Sequence, residues 1–123
     1  MPYDSLINPY YDPEKCGLTL LSFNEPNLSW EYNTLCFWAS PEGYIYTAHD
    51  SGCSCPTPFE AGHAREKSAE VIATLERVGS LAQALSVFDS WNSFYTWSNE
   101  QPKNLGSDKR RELEVWFNEH FKI

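Results

Sequence analysis

The residues best suited to chemistry lie in one stretch, His49-Asp50-Ser51-Gly52-Cys53-Ser54-Cys55-Pro56-Thr57-Pro58. Thiols and imidazoles this close suggest either a metal site or an activated nucleophile. In the metal reading, His49, Cys53 and Cys55 join His63 as a four-ligand N/S set of the kind tetrahedral zinc accepts. The spacing argues against it. Zinc-binding pairs are usually about two to four residues apart, and Cys53 and Cys55 leave only Ser54 between them. In the nucleophile reading, Cys53 or Cys55 attacks, His49 or His63 is the base, and Asp50 orients the imidazole. A nearby helix N-terminus would then lower the thiol pKa. Any chain with four Cys and three His offers some such triple, and no nucleophile signature surrounds this one. The zinc-deaminase pattern is absent too, since no Glu stands two residues after His49 and no Pro-Cys-x-x-Cys follows. A packing role covers every residue type without function. Gly52 supplies a left-handed turn, and Asp50 and Ser51 bond local amides. The two cysteines pack as small hydrophobes, and Pro56 and Pro58 stiffen the path into a helix.

The elements that would position this loop fall into two halves of one domain, residues 1–123. The first, residues 1–56, is strand-rich and acidic. The second, 57–123, is helical. A turn is expected over Tyr10 to Gly17, then a strand over Leu18 to Phe23, broken by Asn24-Glu25-Pro26-Asn27. A second strand covers about Ser29 to Ala39. It alternates, with Trp30, Tyr32, Thr34, Cys36 and Trp38 on one face and Glu31, Asn33, Leu35 and Phe37 on the other. Ser40-Pro41-Glu42-Gly43 reads as a turn into a third strand, Tyr44 to His49. Thr57-Pro58-Phe59-Glu60 matches a helix start, with regular helix from near His63 and a stripe of Val71, Ile72, Leu75 and Val78 that Gly79 ends. Ser80-Leu81-Ala82-Gln83 is a second capping box. It opens a helix with stripe Leu81, Ala84, Leu85, Phe88 and Trp91. Residues 92–106 give no clear period. A last helix starts near Ser107 or Asp108, with stripe Leu113, Trp116, Phe117 and Phe121. The expected fold is α+β: a three-stranded antiparallel β-meander followed by about three α-helices packed on one face.

Away from the loop, His120 reads as a packing or surface residue beside the last stripe. Cys16 and Cys36 read as turn and core residues. The run Trp91 to Trp97 either folds into the core or forms an aromatic patch for a partner; core is the simpler reading.

Composition narrows the function further. The chain has 123 residues, 41% apolar and 15% aromatic, and a net charge of −8. This is enough to build a core without metal or disulfide. Residues 1–62 carry eight acids against one base, a net −7, and residues 63–123 carry nine against eight, a net −1. Nucleic acid and anionic membranes select clustered Lys and Arg, so neither is an expected partner. The acidity serves either solubility or a cationic partner, a metal ion or a protein with a basic surface, such as one that normally holds DNA. No apolar run approaches the roughly 20 residues of a spanning helix. The Met1-Pro2-Tyr3-Asp4 start does not resemble a secretory signal. A cytoplasmic location follows, with the cysteines as thiols rather than disulfides.

The segment Asp50-Ser51-Gly52-Cys53-Ser54-Cys55-Pro56-Thr57-Pro58-Phe59-Glu60 resembles a motif of small proteins from bacteriophages that infect actinobacteria. Tyr11-Asp12-Pro13-Glu14-Lys15-Cys16-Gly17-Leu18 is similar in placement. The resemblance covers about the first half of the chain. It implies phage origin and expression in a bacterial host cytoplasm, and it brings no assigned activity and no catalytic residues. The expected function is a small acidic binding module, not an enzyme and without a cofactor, acting on a host or phage protein. The alternatives are a zinc-binding domain using His49, Cys53, Cys55 and His63, and a thiol-dependent enzyme using the same loop.

Overall fold

A computed structural model of the chain describes residues 6–24, 31–53, 59–99 and 103–122, with the side chains of 31–32, 52–53, 60–61, 93–99 and 103–107 outside that description. Its centre is a strand that is apolar on both faces. All of residues 33–39 are buried. This strand, β2 (Glu31–Ala39), lies between β1 (Thr19–Asn24) and β3 (Ile45–Cys53), and β4 (Glu76–Val78) extends the antiparallel sheet to the order β1-β2-β3-β4.

The alternation read from the sequence sets the two faces. Leu35, Phe37 and Ala39 join Phe23, Ile45, Val78, Phe88, Leu113 and Phe117 in one core. That core is closed by α3 (Leu81–Asn99) and α4 (Lys103–His120). Cys36 and Trp38 point the other way, into a second core with Leu18, Phe59 and Leu75. Ile72 of the short helix α2 (Ser68–Ala73) also packs there. The helices therefore occupy both faces of the sheet, not the single face expected. The second core is closed by short elements: a 3-10 turn over Pro13–Cys16, a single helical turn α1 (Glu60–His63), and α2. The Trp38 indole N–H donates to the Pro9 carbonyl at 2.9 Å, which ties the N-terminal segment down.

Among the described residues the sheet has four strands rather than three, and the fourth comes from the expected helix. Ile7 and Arg65 exchange backbone hydrogen bonds, at 2.7 and 3.2 Å. That bridge needs extended backbone, and Ala64 and Lys67 both adopt it. A helix cannot run through such residues, so the segment splits into α1, α2 and β4. Val78 then pairs with Ile45 and is buried in the sheet. β3 is also longer than expected. It runs on to Cys53, and Gly52 pairs with Tyr32 inside the ladder rather than forming a turn. The expected cap Thr57 and Pro58 lie outside the described residues, and the residue that precedes α1 is Phe59.

The connections elsewhere follow local chemistry. In the β2–β3 hairpin, Gly43 N–H donates to the Ser40 carbonyl, and Gly43 has φ +97, a conformation that favours glycine. Before α3, Gln83 N–H donates to Ser80 Oγ, while the Gln83 side chain accepts from Gly79 N–H. This is a capping box displaced by one residue. Residues 92–99, of uncertain period in the sequence, continue α3, and α4 begins at Lys103, earlier than Ser107. Ala84, Phe88, Trp91, Leu113 and Phe117 are buried as their stripes require. No helix among the described residues is long and apolar enough to cross a membrane.

Candidate functional site

The most unusual backbone in the described chain belongs to Phe59. It is the one non-glycine residue described with positive φ, at +65. A bulky residue in the left-handed region costs on the order of 1–3 kcal/mol, so its surroundings must hold it there. Two interactions do so. The Phe59 N–H donates to Asp50 Oδ2 at 2.7 Å, a charge-assisted bond. The ring is fully buried between Trp38 (centroids 5.6 Å apart, edge-on), Tyr10 (5.8 Å, stacked) and His63 (5.2 Å, tilted).

Strand alternation delivers Asp50 to this place. Asp50 pairs with Thr34 and His49 with Leu35. Leu35 belongs to the core under α3 and α4, and Thr34 belongs to the opposite face. Asp50 thus faces Phe59 and α1, while exposed His49 is carried on the other side of β3.

His63, at the end of α1, is half-buried, and its tautomer is determined by its partner. The Thr74 hydroxyl donates to the Val71 carbonyl at 2.6 Å, which uses its only proton. Thr74 Oγ1 therefore accepts from His63, so the atom 2.9 Å away, Nδ1, carries the proton. In the neutral ring Nε2 keeps its lone pair, available to a proton or a metal ion. Burial holds the His63 pKa below its ordinary value. Asp50 opposes that shift, and Arg65 and His49 add to it.

The two histidines among the proposed ligands are thus divided. His63 and Asp50 share one face of the sheet, and His49 occupies the other. Cys53 ends β3 with its side chain outside the described residues, and Cys55 is wholly outside them. Among the described residues, no group of three His, Cys, Asp or Glu side chains could hold a metal ion. Burial raises the pKa of Cys36 strongly, and burial with Asp12 and Glu14 raises that of Cys16, so neither is an activated thiol. His120 packs tilted against Trp116, ring centroids 4.7 Å apart, and its Nδ1 lies 2.8 Å from the Trp116 carbonyl. This is the packing role its position implied.

Two contributors escaped the sequence reading. Phe59 looked like an ordinary first-turn residue, and Thr74 lay outside the helix stripe of Val71, Ile72, Leu75 and Val78. The available signal was Asp50, a carboxylate within a run of small residues that a buried amide could use.

The His63 pKa predicts a pH dependence. The unfolded chain takes up a proton near pH 6.5, and the folded ring does so only at lower pH. Between those values the unfolded state binds more protons, so stability falls as pH drops below about 6.5 and levels off below the folded pKa. In His63→Asn the amide nitrogen replaces Nδ1 and the titration is lost. Urea midpoints measured at pH 7.5 and 5.5 should therefore separate more in the wild type than in the variant.

Comparison with known proteins adds a family. Residues 7–108 match a family described as Domain of unknown function (DUF7574). No curated protein and no solved structure gives a match. The matched span runs from the N-terminal segment through all four strands and α3 to the first part of α4, and the chain belongs to the DUF7574 family.

Proposed function

We propose that the chain is a non-enzymatic acidic binding module that acts on a protein with a basic surface. In this reading it is encoded by a phage of an actinobacterium and works in the host cytoplasm. One observation carries the proposal. The chain has 17 acids and 9 bases, and only two ion pairs occur among the described residues, Lys15–Asp12 and Arg110–Asp89. Glu42, Glu66, Glu70, Glu76, Glu112 and Glu114 are exposed and outside both. The excess of eight acids over bases leaves a net negative field that can steer and hold a cationic partner. Immobilised protein should retain, from actinobacterial lysate, proteins with pI above about 9 that elute with salt. Retention of nothing above background, or only of acidic proteins, would overturn the proposal.

One observation favours a second reading, the zinc site read from His49, Cys53, Cys55 and His63, although His49 is carried on the other side of β3 from His63. His63 donates its Nδ1–H and keeps Nε2 open, as metal-ligating histidines commonly do. The thiol-enzyme reading would rest on Cys53 and Cys55 alone. Metal content by mass spectrometry, on protein purified without a metal-affinity step, separates zinc from both other readings. The zinc reading requires about one zinc per chain, with Cys53 and Cys55 protected from alkylation until a chelator is added. Four freely countable thiols and no metal would contradict it.

A further inference from the structure

The two edges of the sheet differ in a way that bears on binding. A free strand edge presents unpaired N–H and C=O groups and is normally blunted by shortness, charge or proline. β4 is blunted: it has three residues, and two of them are Glu76 and Arg77. β1 is not. It has six residues, Thr19 to Asn24, with no charge and no proline. Its outer side pairs with no strand among the described residues.

Beside this edge runs an open groove of about 430 Å³, between Leu21 of β1 and the outer flank of α4. Val115, half-exposed at 52%, and Trp116 form its apolar floor. Asp108, Glu112 and Glu119 line it with Arg111, and the Lys109 ammonium stands at the Asn24 end of β1, so the surface carries three acids to two bases. The Lys109 Nζ donates to the Asn24 carbonyl at 3.2 Å, a contact between α4 and the end of β1. The dimensions agree as well. Six strand residues extend about 20 Å, and Asp108 to Glu119 spans about 16 Å along the helix.

We propose that the β1 edge and the α4 groove together bind an extended basic segment of a partner protein, added to the sheet as a fifth, edge strand. Main-chain hydrogen bonds to β1 supply the attachment. Alternate side chains fall into the groove, where apolar ones meet Val115 and Trp116, and Lys or Arg meets Glu112 and Glu119. Charge selects this occupant over a second copy of the chain. Two copies joined edge to edge would bring together two chains that each carry a net −8, whereas a basic strand neutralises the acids of the rim. The inference rests on the acidic-module reading and gives it a surface and a binding mode.

The test uses the full chain and immobilised eight-residue peptides. Lys or Arg occupies alternate positions, and Val, Ile, Leu or Phe fills the rest. Some of these peptides should be retained, with Trp fluorescence changing on binding. Glu112→Lys with Glu119→Lys, both exposed positions, should weaken binding by at least about tenfold, or about 1.4 kcal/mol, while the thermal midpoint is kept. N-methylation of alternate peptide amides should abolish binding with the charge unchanged. If basic peptides bind but neither change matters, the groove is wrong and the acidic-module reading stands. If no basic peptide binds, both fail. Edge-to-edge dimers of the wild type in sedimentation, blocked by a Leu20→Pro change, would replace the peptide with a second copy.

Discussion

Everything in this fold depends on a strand that must be covered on both faces. Between Asn33 and Ala39, β2 offers no side that water can occupy. Burying each large side chain contributes about 1.5–3 kcal/mol, so exposing either face would forfeit several such terms. One face is covered by the long helices α3 and α4. Cover for the other has to be gathered from short pieces: the N-terminal segment, the 3-10 turn, α1 and α2. The polar groups on β2 accept this burial because each finds a partner. The Trp91 indole N–H donates to Asn33, the Thr34 hydroxyl donates to Asn24, and Trp38 bonds Pro9.

Short covering elements are weak alone, and this explains the strain at Phe59. A ring is needed over Trp38, on a chain that has just left β3 and must turn into α1. The left-handed backbone at Phe59 leads directly into α1, and Asp50 of β3 fixes it. The same geometry carries His63 onto the ring and Thr74 onto His63. The cluster that drew attention as chemistry is thus, in its described part, the lock on the second core. The opposite end of the sheet is free of such demands. There β1 keeps an unblunted edge beside the acidic flank of α4, and the proposed binding surface lies there.

Much of the first core was legible in the sequence, because single periods report it. The alternation from Tyr32 to Trp38 assigns both faces of β2, and the stripes Ala84–Phe88–Trp91 and Leu113–Phe117 name the residues that meet it. The second core was not legible, because long-range contacts override local signals there. Val71, Ile72, Leu75 and Val78 fit one helical face. The Ile7–Arg65 bridge breaks that helix, and Val78 goes to the sheet. Ser51, Gly52 and Cys53 have loop composition, yet pairing to Asn33, Tyr32 and Glu31 keeps them in β3. Of the four proposed ligands, His49 closed the expected third strand and Asp50 beside it read as loop; only the pairing of β3 on to Cys53 shows that the two face opposite ways. The partners of His63 come from tertiary contacts that no spacing encodes.

The claim that two-sided burial of β2 organises the molecule is tested most directly by native-state hydrogen exchange, residue by residue. The account predicts that the amides of Leu35 to Ala39 exchange most slowly and only through global unfolding, with α1 and α2 opening earlier. Exchange of those β2 amides at the rate of α2, with α3 and α4 slower than both, would show that the helical pair is the stable unit and that β2 depends on it.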